Sequence, residues 1–133
     1  MKPPAPRYEG FVPGRHVIDA YGAGGFKFAG MGHIGSILAT PGGVTAISAN
    51  TMAEVTVATF APLLAELKAS PSSVEFLVIG MGEKMSILPP LLGKRLRASG
   101  LRLETMATGP AARIYNVLIA ENRRVAALLL AVP

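Results

Sequence analysis

Hydrophobic positions in this chain shift from short runs broken by glycine in the N-terminal half to strand-like and helix-like periods in the C-terminal half. The clearest signal is residues 74–82, VEFLVIGMG, a nearly continuous apolar run that ends in a glycine turn. Such a run bounded by turn residues reads as a buried central strand, around which the rest can be placed. Downstream, Ser86 is a candidate cap and Pro89-Pro90 stands at or just before a helix start. Leu88, Leu91, Leu92, Leu96 and Ser99 share one arc of that helix, Lys94 and Arg97 lie opposite, and Gly100 is a natural stop. Arg95 falls inside the apolar arc. Its stem is expected to pack while its head reaches the edge, the sharper alternative being a cation aimed at a pocket or partner.

Residues 101–106 return as a strand, and Thr108 is expected to cap a helix whose core face is Ala111, Ile114, Tyr115 and Leu118. Asn116 lies on its flank, and residues 125–132 form the last strand, central or at an edge. Upstream, residues 16–21 read as a strand, Gly22, Gly24 and Gly25 as a hairpin turn, and Phe26 and Phe28 as the returning strand. Residues 33–40 and 44–48 are short strands about the turn Pro41-Gly42-Gly43. Residues 56–67 change to helical spacing, with Thr56 or Thr59 as N-cap. Helix, strand, helix, strand, helix, strand after a first sheet predicts an α/β fold, a sheet with helices packed on it.

The 133 residues fit one domain, expected over residues 16–133, with residues 1–15 as a flexible or extended N-terminal arm. Cysteine is absent, which excludes disulfides and thiolate chemistry and is compatible with a reducing, cytoplasmic location. The net charge of +5 favours anionic partners in a general way. Nucleic acid is not expected: the basic residues are dispersed apart from Lys94, Arg95 and Arg97, and the 6% aromatic content offers no stacking platforms. The opening MKPPAPRYEG has no apolar h-region, and the charge-free stretch 28–53 is broken by glycine, proline and polar residues, so neither a secretory signal nor a transmembrane segment is expected.

Chemical motifs are sparse. Gly80-Met81-Gly82 after a strand matches the first half of a dinucleotide fingerprint, with Glu104 at a plausible distance for a ribose. Met85 occupies the third glycine position and Pro89-Pro90 delays the helix, so no cofactor is expected. The turn remains the best place for a small ligand or anion, because crevices at the carboxyl ends of strands collect backbone N–H groups near helix starts. Candidate ligand-binding positions are Gly80, Gly82, Lys84, Arg95, Thr108 and Asn116; the turn glycines and a capping threonine also have structural reasons to be where they are. The only histidines, His16 and His33, suggest no metal site. No G-x-S-x-G elbow or spaced Ser-His-Asp set is visible, and catalytic residues are not assigned.

The ordered set LVIGMG, Pro89-Pro90, Gly100-Leu101, Glu104-Thr105-Met106, Thr108, Ala112, Tyr115-Asn116 and residues 121–127, with the early IDAYG, resembles a small single-domain family of poorly known function. Its eukaryotic members include the mitochondrial respiratory complex I assembly factor 3, and bacterial and archaeal members stand alone. The resemblance covers nearly the whole chain. It implies a mixed β-sheet flanked by helices, with a hammerhead-like β excursion in the N-terminal half, and brings no established catalytic residues. Gly80, Gly82, Thr108 and Asn116 match its motif. Together with the apolar composition, it favours a non-enzymatic protein-binding domain, assisting assembly of a membrane-associated respiratory complex, over a small-ligand binder or enzyme. A protein partner is expected; oligomeric state is left open.

Overall fold

The structure, a computed structural model, describes residues 10–133. In chain order its strands are β1 (Phe11–Pro13), β2 (Ala20–Gly22), β3 (Gly25–Phe28), β4 (Met31–Ile34), β5 (Ser36–Thr40), β6 (Gly43–Ile47), β7 (Phe76–Gly80), β8 (Arg102–Met106) and β9 (Val125–Leu129). The helices are α1 (Ala61–Ala69), α2 (Pro90–Ala98) and α3 (Thr108–Ala120). Six strands form the main sheet in the order β1-β6-β5-β9-β7-β8, and β2-β3-β4 form a separate three-stranded sheet. The main sheet is mixed: β7 runs parallel to β8 and β9, while β1, β6, β5 and β9 are joined antiparallel. Parallel neighbours require crossover connections, which α2 and α3 provide.

Both faces of the main sheet are covered. On one, Leu77, Ile79 and Leu128 pack with Phe60, with Leu63 of α1 and with Leu96 of α2. On the other, Val78, Ile37 and Leu129 meet Ala111 and Tyr115 of α3 together with Phe26 and Phe28 of the small sheet. Burying one large apolar side chain stabilises by roughly 1.5–3 kcal/mol, and β7 can make that gain at successive residues because each of its faces has a cover. This is why its sequence is continuously apolar rather than alternating.

Local chemistry fixes the helix ends. Pro90 starts α2, where a missing N–H costs nothing, and Gly100, with φ +89, follows its Ser99 C-cap. Entry to α1 is a 3-10 turn, Val57–Phe60, and the Thr59 hydroxyl accepts the Thr56 N–H at 3.0 Å. Glu66 of α1 ties the helix to the β5–β6 turn, accepting the Thr40 hydroxyl and, at 2.9 Å, the Gly42 N–H.

Several boundaries differ from expectation. The arm read over residues 1–15 falls largely outside the described residues; of its described end, Phe11–Pro13 pairs with β6 as β1. Residues 33–40 are two strands in two sheets, because Gly35, at φ +104, turns the chain between β4 and β5. Residues 16–19 are irregular and only Ala20–Gly22 pairs with β3. Ser86 does not cap α2; its N–H lies 3.2 Å from the Met81 sulfur. The buried side of α2 is Leu92, Gly93 and Leu96, whereas Leu91 is 83% exposed, and α3 buries Ala112 in place of Ile114.

Candidate functional site

The carboxyl end of β7 is joined to α3 and β9 through one threonine. The Thr108 N–H donates to the Gly82 carbonyl at 2.8 Å, and the Gly82 N–H donates back to the Thr108 hydroxyl at 3.0 Å. That hydroxyl in turn donates to the Leu130 carbonyl at 2.7 Å. Thr108 is fully buried, so its side chain is enclosed and bonded on both sides. The expected role as the cap of α3 does not hold. Thr108 is instead the first residue of the helix, Ala107 occupies the cap position without a side-chain bond, and the hydroxyl is drawn across to two strand ends.

The two glycines have separate reasons. A Cβ at Gly80 would lie 3.0 Å from atoms of Ala111, Leu129 and Thr108, so glycine lets α3 and β9 close on the strand. Gly82 has open space around it but a φ of +107, a conformation that side chains other than hydrogen rarely adopt. Beyond it Lys84 is exposed and, with Tyr21, Gly82, Glu83, Gly109 and Pro133, lines a shallow crevice of about 400 Å³.

Gly80, Gly82, Lys84 and Thr108 thus gather at one end of the sheet, and Arg95 and Asn116 do not join them. Arg95 sits on α2, whose buried side packs on the opposite sheet face from α3; its guanidinium donates to the Ser99 hydroxyl at 3.0 Å beside an open groove between α1 and α2. Asn116 faces the irregular segment before β2, accepting the Ile18 N–H and donating to the Ile18 carbonyl, each at 2.8 Å. Neither histidine lines this crevice: His33 is buried, its Nε2 3.2 Å from the Ser36 carbonyl, and His16 contacts the Pro13 carbonyl at 2.8 Å. Among the described residues no cluster of three or more His, Asp or Glu could hold a metal, and no helix is long and apolar enough to cross a membrane.

A surface rich in exposed apolar side chains follows the crevice in the chain, where residues 83–89 form neither helix nor strand. Met85, Ile87 and Leu91 are 64%, 82% and 83% exposed within seven residues of chain. Sequence reasoning places Leu91 in the core and passes over the other two. Met85 and Ile87 flank Ser86 in the stretch before Pro90, the first residue of α2, and belong to no helix or strand that would pack them on the core.

This mixed sheet, covered on both faces and with an N-terminal three-stranded excursion, places the chain in a family of small α/β domains. The chain belongs to the family described as a protein of unknown function (DUF498/DUF598), whose model matches residues 18–130, the family that takes in the mitochondrial assembly factor as well as bacterial proteins. An uncharacterized protein of Rhodobacter capsulatus is 41% identical over 129 residues, 97% of this chain and 94% of that protein. A crystal structure from Bartonella henselae, described as an outer membrane protein, superposes with a TM-score of 0.83 at 43% identity, covering 91% of this chain and 98% of that one. The solution structure of a Bordetella pertussis protein, described as a Mth938-like domain, gives 0.76 at 26% identity over 98% and 92% of the two chains.

Proposed function

We propose that this chain is a protein-binding domain whose contact surface is the segment carrying Met85, Ile87 and Leu91. The observation that carries this reading is the exposure of three large apolar side chains within seven residues, Met85 and Ile87 on the irregular segment and Leu91 in the first turn of α2, where folding alone would bury them. The polar candidates support the same reading, because the Thr108 hydroxyl at the crevice and the Asn116 amide, away from it, are both spent inside the fold. Assistance in assembling a membrane-associated respiratory complex is the finer form of this proposal, supported by family membership, and it would place the protein in the cytoplasm at a membrane partner.

The test is a photo-crosslinking amino acid placed at Ile87 in the protein's own cells, beside a control at the exposed Lys68 of α1. A protein adduct formed at position 87 and absent at 68 supports the reading, and Ile87→Ser should then abolish copurification of that partner. Indistinguishable adducts at the two positions, or none at 87, would overturn it. The alternative, a small anion held by Lys84 in the crevice, predicts thermal stabilisation by inorganic phosphate that Lys84→Ala removes.

A further inference from the structure

Among the described residues β8 is the outermost strand of the main sheet, and two bonds fix which way its backbone faces. The Arg102 N–H donates to the Glu75 carbonyl at 2.9 Å, and the Met81 N–H donates to the Met106 carbonyl at 2.8 Å. In a parallel pair, alternate residues turn both backbone groups toward the neighbour. Arg102, Glu104 and Met106 therefore bond inward to β7, and Leu103 and Thr105 turn their N–H and C=O groups to the open edge. Such an edge is a template for another strand unless charge or shape blocks it.

The charges on this edge are arranged differently from a block. Arg102 and Glu104 are both exposed, opposite in sign, and two residues apart, hence on the same face of the sheet. Neither is in an ion pair among the described residues, where the pairs join Arg123 and Arg124 to Glu75. Among the described residues the Arg102 guanidinium faces the Phe76 ring, its carbon 6.0 Å from the ring centre.

We propose that β8 is a dimerisation edge, pairing antiparallel with β8 of a second copy of this chain about a twofold axis at Leu103. In that register the two Leu103 residues exchange both backbone hydrogen bonds, as their outward-facing groups allow. Arg102 of each copy then stands opposite Glu104 of the other, at the closely spaced positions of an antiparallel ladder where side chains interact most strongly. The competing twofold registers lack this match: an axis at Glu104 sets the two glutamates against each other, and an axis at Thr105 sets Glu104 against Met106. The edge is thus self-complementary in one register alone, and the main sheets of the two copies run on as a single sheet. This proposal uses the backbone edge of β8 with Arg102 and Glu104, and none of Met85, Ile87 and Leu91, so its test does not depend on the reading above.

The experiment is sedimentation equilibrium of the intact protein from micromolar to millimolar concentration, with amide hydrogen exchange at Leu103 read at both ends of the range. The expected result is a concentration-dependent dimer in which the Leu103 amide is protected and loses protection on dilution. Arg102→Glu and Glu104→Arg should each raise the dissociation constant by about tenfold or more, since each sets like charges together twice. The double reversal, R102E/E104R, should restore it. All three changes are at exposed positions, so retained circular dichroism is expected and checks the fold. A protein that stays monomeric throughout, a dimer indifferent to both single reversals, a double reversal that fails to rescue, or a Leu103 amide that exchanges freely in the dimer would each overturn the proposal. A different protein's strand as the natural occupant of this edge would appear as the first of these outcomes.

Discussion

The side-chain amide of Asn116 satisfies both backbone groups of Ile18 at once, accepting the N–H at Oδ1 and donating from Nδ2 to the carbonyl, each at 2.8 Å. An amide used in this way stands in for a neighbouring strand. It pins the irregular segment before β2 to α3, so that Ile18 stays buried without a ladder to hold it. Asn116→Ala should lower unfolding free energy by about 1–3 kcal/mol, because two partly buried backbone groups lose their partners. Asn116→Asp keeps the acceptor and loses the donor, and should fall between. Urea titration followed by circular dichroism checks both.

Thr108 presents a sharper comparison because its hydroxyl is wholly buried. Thr108→Val preserves shape and strands the Gly82 N–H and the Leu130 carbonyl, with an expected loss of about 1–3 kcal/mol. Thr108→Ser keeps the hydroxyl and removes one methyl, and should retain more of the stability. If valine were the milder of the two, the hydrogen bonds would not be what holds these strand ends together.

The two turn glycines should fail for different reasons. Gly80→Ala forces a methyl to within 3.0 Å of three neighbours in a packed junction and should cost about 1–3 kcal/mol. Gly82→Ala meets no neighbour, and its cost, of order 1 kcal/mol or more, comes from backbone at φ +107. Small-residue rescue tells them apart: Ala111→Gly should recover part of the loss at position 80 and none at 82.

Tyr115 sets an alkaline limit. Burial raises the pKa of its phenol well above the usual tyrosine range, the nearby charge of Arg15 acting in the opposite direction. Below about pH 10 the proton is held in both folded and unfolded chains, and the group contributes no pH dependence. Above that, the unfolded chain releases the proton while the folded chain keeps it, so stability falls as pH rises, by up to about 1.4 kcal/mol per unit. Tyr115→Phe should remove this slope while giving up the 3.2 Å hydrogen bond to the His16 carbonyl. Denaturant titrations of both proteins between pH 8 and pH 11 (roughly spanning the tyrosine range) are the measurement.

What could be read from the chain follows from how far each determinant reaches. β7, α2, α3 and β9 were legible because a continuous apolar run or a helical period is written within ten or so residues, and Pro90 and Gly100 mark ends locally. The split of residues 33–40 between two sheets was not, since it depends on which way Gly35 turns and on what β9 offers Ile37, 92 residues later. The same distance hid the site. Thr108 looks like a helix cap because capping is the nearest use of a threonine, and its actual partners, Gly82 and Leu130, lie 26 and 22 residues away. Asn116 looks like a free flank residue because Ile18 is 98 residues before it. Leu91 fits the apolar arc of α2 by spacing, and only the absence of a layer above it leaves it at the surface.

The position of β9 bears on how the molecule comes into being. It follows both β5 and β7 in the sequence and stands between them in the middle of the main sheet. During synthesis β5 and β7 each await the same missing neighbour, so the nascent chain carries two apolar strand edges that cannot join until β9 has left the ribosome. The decisive pairing is therefore a late, long-range event, the kind that slows folding and lengthens exposure to aggregation. A stalled or prematurely terminated chain would lack the wedge that makes its two halves one sheet, and should be a substrate for chaperones and proteases from the moment of release.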